Sequence, residues 1–162
     1  MDPAMTRWMA LDVGEARIGV ALSDPSGFLA SPYTTLRVPR DELQTWAAIQ
    51  QLIKETEAEG LIIGLPISLD GKIHAQGEHI QAFAERLRPH ITIPITFWDE
   101  RYSTVEAERL LAGQHQDEGQ GRLGRSNRRR SRSARRHSID ALAAAIILQE
   151  YLDDLRSKTE DK

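Results

Sequence analysis

No cysteine occurs anywhere in the 162 residues, which excludes a disulfide framework, a thiolate metal site and a cysteine nucleophile, and suits a reducing compartment. No apolar run approaches the roughly 18 residues of a membrane span. The opening "MDPAMTRWMALDVG" lacks a basic stretch followed by a long apolar core, so no secretory leader is expected. The chain is expected to be soluble and cytoplasmic, with no membrane association. Aromatic residues are few, at 6%, and Trp8, Trp46 and Trp98 fall in strand and helix patterns that suit a core better than a base-stacking platform. Acid is missing from one stretch in particular: "RLGRSNRRRSRSARR", residues 122–136, holds eight arginines and neither Asp nor Glu.

What is present fits one compact domain over residues 1–162, with 40% hydrophobic content and seven prolines. The formal net charge of −3 hides an asymmetry, because removing the eight clustered arginines leaves −11 for the rest. Arginine matches phosphate oxygens in a fork geometry, so a basic cluster on an otherwise acidic chain points to a polyanion, with a solvated polar segment as the plainer alternative.

Along the chain, "RWMALDVG" and "RIGVALSDP" read as two strands joined by a turn at residues 14–16, and "FLASPYTTLRV" as a third, an antiparallel meander. "RDELQTWAAIQQLIKETEAEG" spaces Leu43, Trp46, Ile49 and Ile53 as a helix does, with Gly60 as its expected stop. "LIIGLP" is a strand buried on both faces, "EHIQAFAERLR" a second helix and "ITIPITFW" another strand. After "DERY", Ser103 and Glu106 form a capping box that would open a third helix. Residues 112–134 are expected as a mobile Arg-rich loop, and "SIDALAAAIILQEYLDDL" as the last helix. This order, βββαβαβαα, makes an α/β protein with a mixed sheet flanked by helices, in which sites form beyond strand ends.

Unusual residues fall at those ends. Asp12 closes the first strand, Asp99 and Glu100 follow the last one, and Asp140 is expected at the start of the final helix. Carboxylates gathered from separate elements repel one another unless a cation neutralises them, and hard divalent cations take oxygen ligands, so a Mg²⁺ or Mn²⁺ site is expected. Each acid also has a plain structural role available: Asp12 in the Gly14 turn, Asp140 at a helix N-terminus. Adjacent strand residues point to opposite faces, so one of Asp99 and Glu100 enters the site, and periodicity leaves both open.

The stretches "MALDVGEARIGVALSD", "LIIGLP", "FWDERYSTVEAERLL" and "SIDALAAAIILQEYL" resemble, in order and spacing, the YqgF family of bacterial ribonuclease H-like nucleases, also called RuvX. The resemblance runs from about Met9 to Leu152, with the "DERYST" stretch as its most specific part. It implies a five-stranded mixed sheet of the ribonuclease H-like fold. It also implies a nuclease role, in 5′-end processing of pre-16S rRNA or, by analogy to RuvC, in Holliday-junction resolution. Carried over residue by residue, the family's acidic triad falls on Asp12, Glu100 and Asp140, so the resemblance selects Glu100 over Asp99. The chain departs from the pattern at Lys72 and His74 and in its heavier run of arginines.

If the triad converges, it would hold two divalent ions about 4 Å apart, one activating water and one stabilising the leaving oxygen. Arg101 would steady Glu100 or meet a phosphate, and Arg128, Arg129, Arg130, Arg132, Arg135 and Arg136 would grip a nucleic-acid backbone without reading its sequence. His137 stands three positions before Asp140 and could approach the scissile phosphate, whereas His74 and His79 read as polar surface residues. RNA trimming suits a monomer, while cutting two symmetric DNA strands calls for a homodimer. Two rivals differ in class. A sugar-kinase or actin-like ATPase would need a second domain and would bind ATP; a non-catalytic rRNA-binding module would ignore metal.

Overall fold

Nearly every residue of "WMALDV" and "RIGVALS" is apolar, so neither face of these strands can be left to water, and the sheet they start must be covered on both sides. The computed structural model describes residues 6–67, 70–99 and 125–161, with the backbone alone for 125–137. The strands are β1 (Trp8–Val13), β2 (Arg17–Ser23), β3 (Ala30–Arg37), β4 (Gly60–Leu65) and β5 (Ile95–Asp99). They form one mixed sheet in the order β3-β2-β1-β4-β5. The meander β1-β2-β3 is antiparallel, as its short turns require, and β1, β4 and β5 are parallel, so their carboxyl ends share one edge.

Among the described residues three α-helices cover the sheet. Helix α1 (Glu42–Thr56) begins where the Asp41 side chain accepts from the Leu43 amide at 3.0 Å. It ends at Glu57, which takes a left-handed φ of 57°. Gly60, expected as the stop, instead opens β4, where a Cβ would come within 2.2 Å of the Trp8 ring. The glycine was needed for close packing, so the helix ended three residues earlier on a glutamate. Helix α2 (Ala75–Leu87) runs into a 3-10 turn at Arg88–His90. His74 and His79, on either side of its start, are exposed, as a surface role predicts.

Helix α3 (Arg125–Glu160) corrects two expectations. Residues 125–134, expected as the end of a loop, are helical backbone, and Asp140 lies well inside the helix rather than at its start. The reason is local: no Gly or Pro interrupts 125–160, and Arg, Ala and Leu favour helix. The expected helix at Ser103 and residues 112–124 lie outside the described residues.

Alternation along the strands sorts the core into two layers. Met9, Leu11, Ile18, Val20, Leu61 and Ile63 pack against Trp46 and Ile49 of α1 and Ile80, Phe83 and Leu87 of α2. On the opposite face Ala10, Ala21 and Ile62 pack against Ala144, Ala145, Ile147 and Leu148 of α3. Trp8 and Trp98 flank Tyr151 edge-on, with ring centroids 5.1 and 5.8 Å away, so these tryptophans are structural, as their spacing suggests. Among the described residues no helix is long and apolar enough to cross a membrane.

Candidate active site

The site grows from the turn between β1 and β2. The Gly14 amide donates to the Arg17 carbonyl at 2.9 Å, and a Cβ on Gly14 would approach that oxygen to 2.8 Å, so a residue without a side chain closes the turn. The turn sets the register that pairs Asp12 with Gly19. Asp12 has the parity of Trp8 and Ala10, and Gly19 and Arg17 that of Ala21, so all three belong to the α3 face.

Gly19 brings the distant acid in. A Cβ there would lie 1.9 Å from the Asp140 backbone oxygen, so the bare glycine is the place where α3 settles onto β2. That approach carries the Asp140 carboxylate to the Arg17 side chain, whose Nε donates to Oδ2 at 2.6 Å across 123 positions of sequence. The pair is partly sheltered, at 32% exposure for Arg17 and 23% for Asp140. Arg17 and Gly19 were not singled out from sequence. The signal available was a glycine inside the strand pattern "RIGVALS", between the β-branched Ile18 and Val20, which marks close backbone approach.

Asp12 and Asp140 feel one another's charge. The Asp12 carboxyl is pushed up from 3.8 to about 6, first by burial at the end of β1 and then by the Asp140 carboxylate. Two oxygen-only side chains, partly buried and mutually repelling, form a donor set that suits a hard divalent cation. Among the described residues no three His, Cys, Asp or Glu stand together as a ligand group. The third expected acid, Glu100, lies outside those residues, as does Arg101. Asp99 ends β5 with the parity of Ile95 and Phe97, which pack on the α1 and α2 face, so the nearer competitor for the third position is turned away from Asp12. Arg128, Arg129, Arg130, Arg132, Arg135 and Arg136, with His137, sit on the helical backbone leading into Asp140, where the backbone alone is described.

The arrangement has relatives. A family model described as "RuvX: Holliday junction resolvase" matches residues 6–154. A curated relative from Roseiflexus sp. (strain RS-1) is 45% identical over 151 residues, 93% of this chain and 96% of its own length. Another, from Caldanaerobacter subterraneus subsp. tengcongensis, is 40% identical over 151 residues, 93% and 99% of the two chains. Both carry the name "Putative pre-16S rRNA nuclease". Among solved structures, T. thermophilus RuvC in complex with a Holliday junction substrate superimposes with a TM-score of 0.50 at 10% identity, covering 88% of this chain and 91% of that one. At that identity the likeness speaks for the fold alone, which is ribonuclease H-like, as the sequence resemblance implies. The family match spans every strand of the sheet and both of the acids that α3 and β1 bring together, and the chain belongs to the RuvX family.

Proposed function

We propose that this chain is a divalent-metal-dependent nuclease that hydrolyses phosphodiester bonds in the 5′-end processing of pre-16S rRNA, with Asp12, Glu100 and Asp140 as its metal ligands. The observation that carries the reading is the meeting of Asp12 and Asp140, from opposite ends of the chain, at the carboxyl edge of the parallel strands. The turning away of Asp99 supports Glu100 as the third acid, and the names of the curated relatives support the RNA substrate. A bound Mg²⁺ or Mn²⁺ supplies water activation and charge neutralisation at the phosphate. The chain's own part is to hold acids in place: β1 fixes Asp12, the Gly19 crossing fixes Asp140, and the arginines before Asp140 draw in the nucleic-acid backbone. Because they neutralise phosphates without reading bases, nucleic-acid affinity falls steeply with salt.

A second reading, resolution of four-way DNA, is favoured by the description of the family model. It calls for a two-fold dimer, whereas RNA trimming is within reach of a monomer. One experiment tests both. A 5′-extended 16S rRNA precursor and a four-way DNA junction are incubated side by side with Mn²⁺ or with EDTA, using wild type and Glu100→Gln. The expected outcome is metal-dependent cleavage of the RNA by wild type and binding without cleavage by the variant. Preferential cutting of the junction selects the second reading. Equal cutting by both proteins, or none, rejects the triad and leaves an arginine-driven binding module.

A further inference from the structure

Arg17 has no part in the triad, yet its place is unusually well determined. The Gly14 turn fixes its backbone carbonyl, and β2 places it on the face of Asp12 two residues from Gly19. Its Nε reaches Asp140 Oδ2 at 2.6 Å in a partly sheltered setting. Among the described residues this is the one cation paired with either acid.

The geometry has an energetic reason. Asp12 and Asp140 repel, and the Asp140 side chain, projecting from a helix, is free to turn away from a like charge. A charge-assisted bond from Arg17 to one carboxylate oxygen opposes that turn and leaves the other oxygen for a ligand. Partners of this kind, outside the ligands themselves, orient the carboxylates of metal sites. We propose that Arg17 is a positioning residue, whose guanidinium holds the Asp140 carboxylate where a divalent cation shared with Asp12 requires it. The inference rests on the nuclease reading above, since it takes the two acids as metal ligands.

The test reads metal affinity and needs no cleavage. Mn²⁺ is titrated calorimetrically into wild type, Arg17→Gln, Arg17→Met and Asp140→Asn, each with its metal-free melting temperature recorded. Arg17→Gln is expected to bind Mn²⁺ about 10- to 100-fold more weakly than wild type. Arg17→Met fills similar space without a polar end and carries the same expectation should the glutamine variant not fold. Unchanged affinity with a lowered melting temperature would make the pair a simple clasp for α3 and overturn the inference. Tighter binding would make Arg17 a competitor of the cation and overturn it equally. If Asp140→Asn also binds Mn²⁺ as wild type does, the metal reading itself has failed, whereas loss in Asp140→Asn alone removes only the role of Arg17.

Discussion

On one face of the sheet Leu11, Ile18, Leu61 and Ile63 meet the large side chains Trp46, Phe83 and Leu87 of two helices, while on the other Ala10, Ala21 and Gly19 meet Ala144, Ala145 and the Asp140 backbone of one. Bulky residues hold α1 and α2 off the strands and fill the gap with apolar surface. Small residues let α3 come down until its backbone touches a strand. The face with small residues at the crossing is therefore the one on which Asp12 and Asp140 come together, because close approach of α3 delivers a helix carboxylate to the end of β1.

The largest expected effect separates the two faces by function. Asp12→Asn and Asp140→Asn should each lower the cleavage rate about 1000-fold or more, roughly 4 kcal/mol at the transition state, with unchanged circular dichroism. Leu11→Ala, one residue from Asp12 but on the other face, should cost about 3 kcal/mol in urea unfolding while the folded fraction keeps its activity and Mn²⁺ affinity. An equal loss of activity in Leu11→Ala would show that the faces are not independent.

Next in size is the crossing itself. Gly19→Ala places a Cβ 1.9 Å from the Asp140 oxygen, and backbone on both sides leaves little room to yield. A loss of about 3 kcal/mol is expected, the upper end for overpacking, together with weakened metal binding as Asp140 is displaced. Gly71→Ala is the control: φ is +78° there and nothing stands within 4 Å of a Cβ, so about 1 kcal/mol from the left-handed backbone is the whole cost. Similar losses at the two glycines would contradict the close crossing.

The smallest effect is a pH dependence of the metal-free protein. The folded Asp12 carboxyl, at about 6, stands above the ordinary 3.8, so its contribution to stability is fully present below about pH 4 and is lost as pH rises through 6. Asp12→Asn cannot ionise. It should match wild type below pH 4 and exceed it above pH 6, by on the order of 1–2 kcal/mol after allowance for solvent screening. Melting curves from pH 3.5 to 7.5 in EDTA measure this, and a variant less stable than wild type at pH 7 would contradict the raised Asp12 carboxyl, which burial and then the Asp140 charge produce.

Much of this was legible in the residues. The apolar run in "WMALDV" and the helical spacing of Trp46, Ile49 and Ile53 are local patterns, and the strands and first two helices follow them. The resemblance carried by "MALDVGEARIGVALSD" and "SIDALAAA" agrees with the family match. Less legible were helix limits, where tertiary demand moved Gly60 from a cap into the contact with Trp8 and left Glu57 to end α1. Periodicity alone did not choose between Asp99 and Glu100. The packing of Ile95 and Phe97 assigns Asp99 to the face away from Asp12.

By itself, then, the sequence determined which segments are strands and helices, that both faces of the sheet are covered, and that acids lie at strand ends, because each of these depends on spacings of two to four residues. Only the tertiary structure decided that α3 reaches β2 at Gly19, that Arg17 pairs with Asp140, and that Asp12 and Asp140 share one edge. Those facts depend on contacts across more than a hundred positions, and the 2.6 Å bond spanning 123 of them exists only once the sheet has set the register and the helix has found the gap left by a missing side chain.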